Sequence, residues 1–260
     1  MISIEHLTVK CDNKIILDDI SMDIKKGEFV GILGPNGAGK TTLIKAILGL
    51  LDFPYQGSVK IDGLSAKEYM KIKRGLIGYL PQHAIVNWNM PIRVIDAVLI
   101  ENVKPFGLFL KHSKRDMAAA EHWLSVFGVA EYKDTYIREL SGGQQQRVSL
   151  ARCMIHNPEL LILDEPNTAI DAVYNAKMYE ILKELSRKNN MTIVMVSHDI
   201  GAVTTYVDEV MCLNVKLHCH GSVKNIDFAT VFKEVYGKDM EIVIHGNQCK
   251  NCVVNKGSIR

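Results

Sequence analysis

The stretch that most restricts the fold is FVGILGPNGAGKTTLIKAILGLL, residues 29 to 51. Its first five residues form an apolar run of strand type, and LIKAILGLL at its end has the apolar spacing of a helix. Between them stand Gly34, Pro35, Asn36, Gly37, Ala38, Gly39, Lys40, Thr41 and Thr42. Glycines free the backbone to curl until several N–H groups converge on one anion, and the following helix aims its positive end at the same place. The pattern G-x-x-x-x-G-K-[ST], in strand–loop–helix context, is that of a P-loop. Lys40 is placed to reach the β- and γ-phosphates of a nucleotide, and the Thr41 hydroxyl to ligand Mg²⁺. A turn that merely joined a strand to a helix would require neither side chain.

A phosphate cradle hydrolyses nothing without carboxylates, and LLILDEP supplies them. The apolar run 160–163 reads as a strand buried on both faces. It delivers Asp164 and Glu165 to the C-terminal edge of a parallel sheet, where ligands gather. Asp164 is suited to hold the Mg²⁺ shell, often through water, and Glu165 to polarise a water attacking the γ-phosphate. An acidic turn after a core strand would be the plainer account of this segment standing alone.

A third motif is Leu140-Ser141-Gly142-Gly143-Gln144, followed by QQRVSLARCMI. Ser141 can cap a helix whose first turn again presents free N–H groups to an anion. One chain thus carries two helix ends suited to phosphate. Taken with the P-loop and LLILDE, this LSGGQ segment resembles the ATP-binding cassette family, from strand 2–9 to about residue 245.

The resemblance implies an α/β fold: a P-loop NTPase cassette with a RecA-like core at 1–84 and 151–215, an antiparallel β edge and an α-helical subdomain at 85–150. Residues 216–260 would form a C-terminal extension. It also implies hydrolysis of ATP with Mg²⁺ by two cassettes facing head to tail. Ser141, Gly142, Gly143 and Gln144 of one would close over the ATP held by Gly34–Thr42 of the other. Gln82 in YLPQ matches the glutamine that contacts Mg²⁺ and the attacking water. Asp171 in NTAID matches the aspartate at the dimer seam, and His198 in MVSHD the histidine that contacts the γ-phosphate. Standing alone, such a glutamine or aspartate would be a solvated loop residue, and such a histidine a partner for a backbone group.

The same resemblance implies a second cassette subunit, a separate integral membrane permease and, indirectly, an extracytoplasmic substrate-binding protein. The segment VNWNMPIRVIDAV (86–98) resembles its counterpart in cassettes of manganese and zinc importers, and GLFLKHSKRD a short basic loop of the same proteins. Trp88, Met90, Ile92, Val94 and Ile95 would pack the helical subdomain whichever cargo is carried. Iron chelates, haem or cobalamin remain alternative cargoes. A soluble ATP-switched clamp of the DNA-repair or translation kind is the rival class, but this chain has one motif set and no heptad insertion. The basic run Lys111–Arg115 reads as a solvated turn.

Composition agrees with this placement. The 260 residues are 47% hydrophobic and 23% charged, enough for a full core, with a net charge of only +2. The apolar runs LLIL and TIVMV fall far short of the roughly 20 residues a membrane-spanning helix needs. MISIEHLTVK alternates like a strand and lacks a secretory pattern. A protein on the cytoplasmic face of the membrane is the expectation. Lys and Arg form no cluster with interleaved aromatics of the sort that grips nucleic acid.

Cysteines stand at 11, 153, 212, 219, 249 and 252. Those at 153 and 212 lie in apolar surroundings and read as core residues. After the last core strand, near 208–214, Phe228, Val231, Phe232, Val235 and Tyr236 recur at helical spacing behind Asp227, and EIVIH (241–245) reads as a further strand. Soft ligands flank that ending: His218, Cys219 and His220 before it, His245, Cys249 and Cys252 after. C-x-x-C is a common zinc half-site, but the other half lacks regular spacing, and a flexible polar end with reduced thiols is the plainer reading.

One family feature is missing. Where these proteins place an aromatic ring to stack on adenine, this chain has Cys11, and residues 5 to 16 contain no Tyr, Phe or Trp. Loss of one base–aromatic stack costs on the order of 1–3 kcal/mol. Weak discrimination among purine nucleotides is therefore expected. Equilibrium binding of ATP and GTP to Cys11→Tyr and to the parent tests this, and unchanged affinity for both would remove the idea.

Overall fold

A computed structural model describes residues 1–73, 75–82, 87–100, 112–166 and 172–236. At the N-terminus β1 (Ile2–Cys11) and β2 (Lys14–Ile24) form an antiparallel hairpin. β1 also pairs with β4 (Tyr55–Ile61), which pairs with the short β5 (Leu64–Ser65), giving the order β2-β1-β4-β5. The alternation in β1 changes phase midway. Ile2 and Ile4 face inward, and so do Leu7 and Val9. A bulge at Glu5–His6, with His6 at φ 53, absorbs the extra residue. Gly57 on β4 permits it, because a Cβ there would lie 2.4 Å from both the Glu5 and His6 carbonyl oxygens.

The second sheet has the order β10-β9-β3-β8-β7-β6. Its strands are β3 (Phe29–Leu33), β6 (Ile77–Leu80), β7 (Leu160–Asp164), β8 (Thr192–Val196), β9 (Glu209–Asn214) and β10 (Lys216–Ser222). All neighbours are parallel except β10 on β9. Every residue of β3, β7 and β8 is buried, as continuous apolar runs in a two-sided parallel sheet require.

Two cores flank this sheet. On one face Ile32, Ile162, Val194 and Met211 pack with the inward residues of the first sheet, with α1 (Lys40–Ile47) and with Tyr69 of α2 (Ala66–Ile72). On the other, Phe29, Leu161, Ile193 and Met195 share a core with α3 (Val94–Leu99), α4 (Lys114–Val126), α5 (Gly142–Met154) and α6 (Ala172–Asn189). Of the apolar residues in 86–98, Val94 and Ile95 are buried and Trp88 and Ile92 pack against that core, whereas Met90 is exposed.

Two segments differ from the sequence reading. The basic run is not wholly a turn: Ser113 and Asp116 form a capping box, so Lys114 and Arg115 already lie in the first turn of α4. Residues 216–222, for which the apolar pattern predicts no element, form β10. The hairpin to it turns at Val215, held at φ 60 by its N–H to the Ala38 carbonyl (3.1 Å) and its carbonyl to the Asp18 N–H (2.9 Å).

The expected terminal helix is α8 (Phe228–Tyr236). Phe232 and Val235 are buried, and Asn214 of β9 donates to the Val235 carbonyl at 2.9 Å. The expected strand 241–245, and with it His245, Cys249 and Cys252, lies outside the described residues. His218, Cys219 and His220 occupy β10, where His220 Nε2 meets Glu209 at 3.0 Å and His218 lies 3.9 Å from Glu234. Phe232→Ala should cost about 3–5 kcal/mol in urea unfolding, the usual range for a fully buried Phe. A loss below about 1 kcal/mol would show that α8 is not docked as described.

Candidate nucleotide-binding site

The sequence Gly34–Gly39 leaves the C-terminal edge of β3 and turns into α1. Gly34 has no room for a side chain: a Cβ would lie 2.1 Å from the Leu213 carbonyl oxygen. Gly39 stands at φ 95, and a Cβ there would meet Leu17 and the Ile16 carbonyl at 2.6 and 2.8 Å. These two positions make the curl of the loop obligatory. Lys40 is buried, and its Nζ donates to the carbonyls of Gly34 (2.8 Å) and Pro35 (2.9 Å). Burial holds its ammonium below the usual lysine range, while the nearby charges of Glu165 and Asp164 act in the opposite direction.

Thr41 Oγ1 donates to Asp164 Oδ2 at 3.0 Å, tying the first turn of α1 to the end of β7. Asp164 is 1% exposed. A hydroxyl and a carboxylate oxygen side by side are hard donors of the kind Mg²⁺ prefers, so the residues present fit that ion.

Glu165 follows at φ 54, a left-handed conformation that costs a non-glycine residue free energy and marks functional sites. Its N–H donates to the Val196 carbonyl of β8 at 3.0 Å. Its carboxylate accepts from Gln82 Nε2 at 2.9 Å through one oxygen, and the other lies 2.5 Å from His198 Nε2. Gln82 leaves β6 and His198 leaves β8, so three strand ends converge on one carboxylate. His198 is set by its neighbours: the Ser197 hydroxyl, buried, lies 3.0 Å from the Tyr179 hydroxyl and accepts the Asp199 N–H at 3.0 Å. Asp199 in turn caps α7 (Ile200–Tyr206) and accepts from Asn175 Nδ2 at 3.2 Å.

Gln82 and Glu165 border a cleft of about 500 Å³, walled also by Asn36–Thr42 and by two residues the sequence reading missed, Lys14 and Ile16. The signal that locates them is the β1–β2 hairpin, which pairs Lys14 with Cys11. Cys11 is half-exposed, and among the described residues the wall on this side carries no aromatic ring.

Ser141, Gly142, Gly143 and Gln144 form the N-terminus of α5. The Gln144 N–H donates to Ser141 Oγ (3.4 Å) while its side chain accepts the Ser141 N–H (2.8 Å), the expected cap completed as a capping box. The chain does not bring this end to its own cleft, whose described wall includes none of the four. Gln146 does link α5 to the loop after Glu165, donating to the Pro166 carbonyl at 2.9 Å. Asp171 lies outside the described residues.

A lysine-bearing loop between a parallel strand and a helix, with carboxylates on a nearby strand end, defines a P-loop nucleoside triphosphatase. Within that class, the ABC transporter family model matches residues 17–168, and the chain belongs to the ATP-binding cassette family of ATP-hydrolysing transporter subunits. It is 36% identical to a probable metal transport system ATP-binding protein of Thermotoga maritima, covering 95% of both chains. It is also 36% identical to the manganese transport system ATP-binding protein MntB of Bacillus subtilis (91% of this chain, 92% of that one) and to the zinc transport system ATP-binding protein TroB of Treponema pallidum (91% and 86%). A dimeric ATP-binding cassette solved in a post-hydrolysis state with ADP and Pi matches with a TM-score of 0.72 and 29% identity, over 87% of this chain and all of that one. No helix among the described residues is long and apolar enough to cross a membrane.

Proposed function

We propose that this chain is the ATP-hydrolysing subunit of an importer of divalent metal ions, manganese or zinc, bound peripherally at the cytoplasmic face of a membrane permease. The observation that carries the ATPase half is the convergence of Gln82 and His198 on Glu165. The cargo is supported by the metal, manganese and zinc transport named in its relatives over most of its length.

In this reading the P-loop amides and Lys40 bind the β- and γ-phosphates. Thr41 and Asp164, with Gln82 nearby, would hold Mg²⁺, which neutralises phosphate charge when bound. Glu165 accepts the proton of the attacking water, and His198 orients Glu165 and contacts the γ-phosphate. Ser141–Gln144 would close the ATP site of a second copy, with Asp171 at the seam between copies. Residues 1–84 and 151–215 serve as the nucleotide core, 85–150 as the subdomain facing the permease, and 216–260 as an extension.

The test is ATP-driven release of lumenal metal from inside-out vesicles that hold the cognate permease and its substrate-binding protein, with ATP supplied on the cassette side. Manganese or zinc should cross with the parent, and Glu165→Gln should retain ATP binding while hydrolysis and release fall about 10²–10⁴-fold, the range for losing a general base. ATP turnover with movement of a metal chelate, haem or cobalamin instead of the free ion would overturn the cargo. Undiminished turnover by the variant would overturn the role of Glu165.

A further inference from the structure

The β9–β10 hairpin carries a pair of thiols that the nucleotide chemistry does not use. Cys219 stands directly opposite Cys212 across the antiparallel ladder, in a register set by a bulge after Leu217. Opposed residues of an antiparallel pair share one face, with side chains closer than at any other spacing. The Cys212 side chain is fully buried, and that of Cys219, its ladder partner, is half-buried. α8 covers the pair: Phe232 and Val235 belong to the same core as Cys212, and Cys219 packs against that core. Both sulfurs are free thiols.

We propose that Cys212 and Cys219 form a modification site, a cross-strand dithiol that a hydroperoxide oxidises to a reversible disulfide. This goes beyond the transport reading and does not depend on the cargo. Cys219 is the more accessible sulfur, and the neighbouring Cys212 thiol holds its pKa below the usual thiol value, while Cys219 and then burial raise that of Cys212. Cys219 is therefore the attacking sulfur and Cys212 the resolving one. The Cys219 thiolate attacks one peroxide oxygen, breaking the O–O bond to give a sulfenic acid and hydroxide, which takes up a proton as water. The Cys212 sulfur then attacks the sulfenic sulfur. The S–S bond forms as the S–O bond breaks, and the departing hydroxide leaves as water with the Cys212 proton. Two thiols lose two electrons, and one hydroperoxide is reduced by two.

The site is coupled to the nucleotide loop by contact. The carbonyl of Leu213, next to Cys212, packs so closely against Gly34 that a Cβ there would lie 2.1 Å from its oxygen, and Asn214, the next residue, holds the Val235 carbonyl near the end of α8. Closing the disulfide tightens the hairpin that braces the start of the P-loop.

Lys216 lies between the two cysteines, so trypsin separates them into different peptides and only a disulfide keeps those peptides together. The full chain is reduced, exposed to hydrogen peroxide, and mapped without reduction, with differential alkylation before and after dithiothreitol. The half-exposed Cys11 reports that the oxidant has acted. The expected result is a linked pair of peptides carrying Cys212 and Cys219, lighter by two hydrogens, with loss of alkylation at both positions together and full recovery on reduction. The proposal is overturned if Cys11 is oxidised while Cys212 and Cys219 stay alkylatable. It is equally overturned if either stops at a sulfinic acid or is linked instead to Cys249 or Cys252.

Discussion

The hydrogen bond from Thr41 to Asp164 is the point on which the site depends, because it joins two loops far apart in the chain at one place on the sheet edge. It exists only because β3, β8 and β7 are consecutive in the sheet and parallel. Each strand is buried on both faces, so its polar residues have one outlet, the C-terminal end. The P-loop leaves β3 there, Asp164 and Glu165 leave β7, and His198 leaves β8. Gln82 arrives from β6 on the outer side. The chemistry is thus a consequence of strand order, and the apolar runs that look featureless in the sequence do the positioning.

Around that edge the backbone holds conformations that ordinary residues avoid. Glu165 and Val215 lie at positive φ, and each is fixed by hydrogen bonds to a neighbouring segment. Such strain costs on the order of 1–3 kcal/mol per residue and persists only where the surroundings over-determine it. At Glu165 the return is a carboxylate aimed at Gln82 and His198. At Val215 it is a hairpin that supports Ala38 from below, extending the influence of β9 and β10 to the phosphate loop.

Much of this was legible in the sequence because its signals are local. The P-loop, the strand before Asp164, the cap at Ser141 and the helix from Phe228 are each written within a dozen residues, and the structure places them as read. The strand 2–11 was legible as an alternating segment, but the bulge at His6 within it emerges only from its pairing with β2 and β4. What was not legible depends on tertiary neighbours. β10 has weak alternation of its own and forms against β9. Lys14 and Ile16 reach the cleft through a hairpin register, and Gln146 finds Pro166 only when α5 packs against β6. Ser113 was misread because a run of charges hid a capping box.

The described wall of the cleft lacks one phosphate-suited helix end. Within one chain Ser141–Gln144 caps α5 but contributes nothing to the described wall around the P-loop, so two phosphate-suited helix ends stay apart. We propose that a second copy supplies the missing wall and that ATP draws the copies together. Sedimentation velocity of the Glu165→Gln chain, which should bind ATP without consuming it, tests this most directly. The account predicts a monomer with ADP that shifts to a dimer on saturation with ATP and Mg²⁺, and back to a monomer when Ser141→Arg is added to the same chain. A species that remains monomeric with ATP bound would contradict it.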